Sequence, residues 1–183
     1  ITSTTPTYDL TQQAFVAANA SAAVMPAGIA EQGYAYISTQ LGGSYDIFGK
    51  VGEAAPFSLE LAGNSKLTKG TILASNAGTA TVSTGTGTVT NLGATTSAQS
   101  VYCQLHIVSV GGTSTPTITV TVKSAALVGF GSPTTRASFT ARTAVGAQRI
   151  VVAGPVTDAF WRVDYTVSGT TPTFGFVAVV GIQ

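Results

Sequence analysis

FWRVDYTV, residues 160–167, decides the fold class. Successive side chains of an extended chain point to opposite faces, so Trp161, Val163, Tyr165 and Val167 share one side. Phe160, Arg162, Asp164 and Thr166 take the other. Large apolar groups on one face and charge on the other describe a half-buried strand. Upstream, residues 101–110 (VYCQLHIVSV) set Val101, Cys103, Leu105 and Ile107 against Tyr102, Gln104, His106 and Val108. Residues 117–123 (TITVTVK) align Ile118, Val120 and Val122. With GGTSTP between them, these two stretches predict a hairpin with a longer loop.

Shorter strands are predicted at 137–141 (ASFTA) and 148–153 (QRIVVA), and residues 173–182 follow an SGTTP loop. Nearer the start, residues 34–40 read as a strand, Gly42-Gly43 as a turn, and residues 45–50 as the next strand. Phe57, Leu59 and Leu61 share a face of FSLEL, followed by a turn at Gly63-Asn64 and an apolar piece at 71–74. Residues 79–92 are β-prone and punctuated by glycine. No helical crossover is readable, which argues against a parallel βαβ fold. Many short strands between turn signals predict an all-β, antiparallel β-sandwich or jelly-roll-like domain over residues 34–183.

Residues 1–33 differ in texture. They are rich in Ala and Thr and lack alternation. Asp9 would cap a short helix over residues 9–20, but Leu10, Phe15 and Val16 fit helical spacing poorly. An extended arm or irregular segment is the expectation, interrupted by Pro26 and Gly28. Its start, ITSTTPTYDL, lacks the basic and apolar regions of a signal peptide.

Charge is scarce: 8% of the 183 residues, against roughly 25% in an average soluble protein. Hydroxyls, amides and backbone must therefore hydrate the surface. The 8 Lys and Arg are scattered and the net charge is +1. Phosphate-backbone binding needs clustered cations, so nucleic acid is not an expected partner. No apolar run reaches the roughly 18 residues of a membrane span. Weak net charge also removes the repulsion that keeps proteins apart, which suits close neighbours.

The chemistry-bearing residues are few. Cys103 is the single cysteine, which excludes an intrachain disulfide. His106, the single histidine, lies three positions along the same strand, on the opposite face, so the two form no local nucleophile–base pair. One Cys and one His fall short of a zinc site, and Asp9, Asp46, Asp158 and Asp164 are too dispersed for calcium. Glu53 and Glu60 read as surface carboxylates rather than a glycosidase pair. Gly85-Thr86-Gly87 lacks the further glycine and helix of a phosphate-binding loop. Asn19-Ala20-Ser21 matches a glycosylation acceptor, a pattern common by chance. No cofactor, no metal and no catalytic set are expected.

Arg162 and Asp164 stand out because both lie on the polar face of one strand in a charge-poor chain. They read first as a strand-surface ion pair with a neighbouring strand, and more sharply as an interface contact. Tyr34, Tyr36, Tyr45, Phe48 and Trp161 raise carbohydrate stacking; Trp161 reads as core, and Tyr45 as an exposed loop aromatic or, more commonly for such a position, a partly buried tyrosine at a strand start. With Tyr8 and Phe15 of the arm, Tyr45, Arg162 and Asp164 are the candidate interface residues.

From about residue 100 onward the chain has a familiar texture, carried by QLHIVSV, GGTSTPTITVTVKSA, ASFTA, QRIVVAGPV, FWRVDYTVSG and TTPTFGFVAVV. It resembles the β-sandwich structural proteins of tailed bacteriophages, with capsid decoration (cement) proteins and related head or tail accessory proteins closest in texture, and it does not separate decoration from tail roles. The ending is the most family-like part, with Arg162-Val163, Tyr165-Thr166-Val167 and residues 169–176. The resemblance implies a cofactor-free virion protein, homo-oligomeric or a repeated monomer, that binds the major capsid protein on the outer surface of a head. An arm that orders on binding, or pairing to a sheet edge, would serve such docking. The alternative is a tail or receptor-binding module recognising surface carbohydrate. An enzyme is not expected, since no nucleophile–base–orienter set is present.

Overall fold

The computed structural model describes residues 21–24, 30–46, 58–63, 66–77, 80–81 and 83–183. Every regular element among them is a strand, and every pairing is antiparallel. The strands are β1 (Ser21–Val24), β2 (Tyr34–Asp46), β3 (Ser58–Gly63), β4 (Thr68–Ser75), β5 (Gly85–Thr86), β6 (Thr90–Asn91), β7 (Ser100–Ala125), β8 (Thr134–Ser138), β9 (Gly146–Ala153) and β10 (Phe160–Ile182). The all-β antiparallel class read from the alternation is the observed one.

Backbone contacts divide the chain into two units, residues 1–24 with 38–67, and residues 25–37 with 68–183. In the first, β1 pairs residues 38–41 of β2, and β3 pairs residues 40–46 of β2. β1 therefore lies within the stretch read as arm or irregular chain. The turn expected at Gly42-Gly43 is not there. The strand runs through it, and the register against β3 shifts between Gly42 and Tyr45. Two glycines in an extended run can mark a bulge as well as a reversal, and here the bulge wins.

The second unit is organised by β7 and β10, 26 and 23 residues long, paired along nearly their whole length. This corrects the predicted hairpin: residues 101–110 and 117–123 do not pair with each other but continue as one strand against β10. GGTSTP does disturb the chain. Gly112, Ser114 and Thr115 take positive φ, and Gly169 and Thr171 do so on the opposing strand. The register shifts at the same place, between Ser168 and Thr173. Matched irregularities bend both strands together, so the ribbon folds over without unzipping.

A ring contact measures the fold-back. Tyr165 and Phe176, both on β10, meet edge to face with centroids 5.0 Å apart. The same 11 positions of straight strand would cover roughly 36 Å. The folded ribbon makes two layers. In layer A, residues 173–182 of β10 and 101–111 of β7 sit between β4 and β9, with residues 34–37 of β2 beyond β4. In layer B, residues 160–168 of β10 and 117–125 of β7 sit between β5 with β6 on one side and β8 on the other.

The core lies between the layers. Val101, Cys103, Leu105 and Ile107 come from layer A, and Ile118, Val120, Val122, Trp161 and Val163 from layer B; all are buried in one cluster with Phe174 and Phe176. The inward faces are those the alternation assigned. Each such side chain contributes about 1.5–3 kcal/mol relative to exposure. The Trp161 indole N–H donates to the Gly93 carbonyl at 3.0 Å, so its polar atom is satisfied on burial. Gly87 lies against the Leu73 carbonyl and the Ala74 side chain of β4, leaving no room for a Cβ. The other face of layer A is buried too, through Ala35, Ile37, Ile72, Val177 and Val179.

Candidate functional site

The outer face of layer B carries a groove of about 460 Å³. Thr119, Thr121 and Lys123 of β7 line it because Ile118, Val120 and Val122 point inward, and the period-2 alternation sends their neighbours out. Asp164 and Thr166 of β10 line it for the same reason. Thr84 and Thr86 close one side, Thr135 and Ser138 the other.

An ion cluster reaches into the groove through Lys123 and Asp164. Arg162 holds Asp164 by two parallel contacts, Nε to Oδ1 at 2.6 Å and an Nη to Oδ2 at 3.1 Å. Lys123 reaches the same Oδ2 at 2.8 Å from β7. Lys123 and Arg162 are register partners, so two cations stand directly opposite each other across the ladder. Like charges in that position repel, and Asp164, one step diagonally away, neutralises them. Burial works against ionising Asp164, but the hydrogen bonds from Arg162 and Lys123 outweigh it and hold the carboxyl below the usual 3.8. The Arg162 guanidinium also lies 4.4 Å from the centroid of the Phe130 ring. Phe130 is buried at the end of a turn whose tip exposes Leu127 and Val128.

The arrangement can grip a polar ligand but is a poor place to move a proton. Both Asp164 oxygens already accept from cations, and its carboxyl is held ionised. His106 and Cys103 lie on layer A instead. The Cys103 thiol is in the core, where burial pushes it up to about 12. His106 lies against Gln104, with the amide nitrogen 2.8 Å from Nε2, and burial lowers its pKa, which suits a neutral ring acting as acceptor. Gln104 itself is fully buried, on the strand face opposite Cys103 and Leu105. Among the described residues no group of three His, Cys, Asp or Glu is placed to hold a metal, and no helix is long and apolar enough to cross a membrane.

A second cluster joins the β8 edge to the loop before β10. Ser124 donates to Asp158 at 2.7 Å, while Arg136 donates to both Ser124 and Asp158. The Ser124 and Arg136 hydrogen bonds lower the Asp158 pKa. Ser124 is fully buried, and this network satisfies it.

A separate surface lies on β2. Tyr34 and Tyr36 are 65% and 45% exposed, while Ala35 and Ile37 between and beside them are buried. The Lys69 ammonium, on neighbouring β4, sits 3.7 Å from the centroid of the Tyr34 ring.

Of the five candidate interface residues, the structure joins Arg162 and Asp164 directly and adds Lys123, which sequence reasoning missed. Of the two readings of Tyr45 the strand is the observed one: it belongs to β2, where its backbone pairs Leu59. Tyr8 and Phe15 lie outside the described residues, as do Phe48 and Glu53. Trp161 is in the core, as read. The exposed pair Tyr34 and Tyr36 had a signal in YAYI, aromatics two apart on one face, though nothing local showed which face was wet.

No protein-family profile matches the chain, and no curated protein or solved structure shows significant similarity to it.

Proposed function

We propose that the chain is a non-enzymatic virion structural protein, a decoration (cement) protein that docks on the major capsid protein at the outer surface of a phage head. The observation that carries the reading is the Tyr34–Tyr36 stripe with Lys69 against it. Exposed tyrosines are enriched in protein-interface hot spots, since they bring large contact area at low entropic cost. The scarcity of charge and the phage-like texture of residues 100–183 support it. Repeated copies on a shell would then make many such contacts at once.

The test is co-sedimentation of the full chain with purified phage capsids that lack it. The unsubstituted chain is expected to pellet with the shells, and Tyr34→Ser/Tyr36→Ser to bind about 30-fold more weakly, as loss of a hot spot of about 2 kcal/mol implies. Both substituted positions are exposed, so the variant's circular dichroism and melting should match the parent. If the parent chain stays in the supernatant, the docking reading fails. If the variant pellets equally well, the tyrosine face is not the docking surface.

A further inference from the structure

We propose that the groove on layer B is a binding site for an acidic saccharide, a sugar chain bearing a carboxylate among its hydroxyls. This goes beyond the docking reading and does not depend on it, because the tyrosine stripe belongs to β2 and β4 of layer A.

The groove's volume of about 460 Å³ falls within the roughly 300–1,000 Å³ of small-ligand sites. Six threonines and Ser138 face it. A hydroxyl both donates and accepts, as a sugar hydroxyl does, so the two sets can satisfy each other in either direction. Thr121 and Thr84 are partly committed, donating to the Asp164 carbonyl and accepting from the Val167 N–H. The hydroxyls of Thr86, Thr119, Thr135, Thr166 and Ser138 make no hydrogen bond to another described residue.

Charge decides between neutral and acidic ligands. Lys123 and Arg162 share a single carboxylate, which leaves the cluster a formal charge of +1. Arg162, clamped on Asp164 and laid over Phe130, is not among the residues that line the groove. Lys123 is the cation that lines the groove, with its side chain 28% exposed. One of its three N–H donors serves Asp164, and two remain for a ligand. An anionic group placed there completes the charge balance through a charge-assisted hydrogen bond. Asp164 holds the ammonium in place beforehand, which lowers the ordering cost of binding.

Stacking is not the recognition mode here. Tyr165 is the single aromatic in the lining, and its ring packs inward on Phe176. A neutral sugar face would therefore find no platform, whereas hydroxyl exchange plus one fixed cation favours a carboxylate-bearing chain.

The test titrates the full chain with a galacturonic acid trisaccharide, its methyl ester, and the capped tripeptide acetyl-Gly-Asp-Gly-amide, read by calorimetry and amide NMR. Expected are saturable binding of the acid, shifts at the amides of Thr86, Thr121 and Thr166, and affinity about tenfold lower for the ester. Lys123→Met should remove that preference, and Thr119→Val should weaken the acid a few-fold. The ester comparison uses the unsubstituted protein, so it holds even if Lys123→Met folds poorly. No saturation by the acid, equal affinity for acid and ester, shifts confined to another surface, or equal affinity for the tripeptide would each overturn the proposal.

Discussion

The two halves of β10 share one strand and one partner, yet they live in different surroundings. Residues 160–168 alternate, with Trp161 and Val163 buried and Thr166 in water. Residues 174–181 are buried at every position. β7 behaves the same way: Thr119 is exposed between Ile118 and Val120, whereas Cys103, Gln104 and Leu105 are all buried. Layer B has one wet face, and layer A has none over its centre. The difference locates chemistry. The ion cluster and the hydroxyl-lined groove lie where one face of the sheet meets water, whereas layer A is doubly buried at its centre and exposes Tyr34, Tyr36 and Lys69 only toward its edge.

The sharpest way to probe the contrast is the thiol on the buried layer. Cys103 should react with iodoacetamide far more slowly in the folded chain than in urea. Burial pushes the thiol up to about 12, which removes most of its thiolate, and the core shields it sterically as well. Fast labelling without denaturant would show that layer A opens. Next in size is Phe176→Ala. Emptying a fully buried ring site should cost about 3–5 kcal/mol in urea unfolding, and the Tyr165 ring across the layers would lose its edge contact. A cost below about 1 kcal/mol would mean that the two halves of the ribbon do not pack on each other.

On the wet layer the effects shrink. Asp164→Ala leaves Lys123 and Arg162 facing each other with no carboxylate between them, and should cost about 1–2 kcal/mol. Lys123→Ala keeps the Arg162–Asp164 pair and should cost less. Acid should produce a related loss. Asp164 and Asp158 have folded pKa values below the ordinary 3.8, so near that pH the unfolded chain binds more protons. Their stabilisation is therefore complete above about pH 5 and fades as pH falls through 3.8 and below. Melting curves between pH 2.5 and 6 should show this slope, shallower in Asp164→Asn. Smallest of all, Thr166→Ala on the exposed face should change stability by less than about 0.5 kcal/mol. A larger loss there would mean that the groove hydroxyls are structural.

Much of layer B was legible beforehand. In FWRVDYTV and TITVTVK the inward and outward sets follow from local alternation, and the structure keeps them. Layer A was read less fully. In VYCQLHIVSV the alternation separated Gln104 from the core set without showing that its own face is buried as well. The unbroken apolar run of residues 174–180 is the signal for burial on both faces. The groove was half visible. Arg162 and Asp164 stood out by rarity, but Lys123 joins them only through the β7–β10 register. GGTSTP and Gly42-Gly43 were read as reversals because the same residues serve turns, bulges and corners.

By itself, then, the sequence determined the all-β class, the inward faces of the long strands and a surface with little charge. These are local properties, written into period-2 alternation and composition. Only the tertiary structure decided that the β7–β10 ribbon folds over at residues 112–116 and 169–172, that Tyr165 meets Phe176, and that Lys123 faces Arg162 across Asp164. Those facts depend on which distant strands pair, in what register, and where both partners bend together. That choice is settled by the burial of the whole core rather than by any stretch of chain within it.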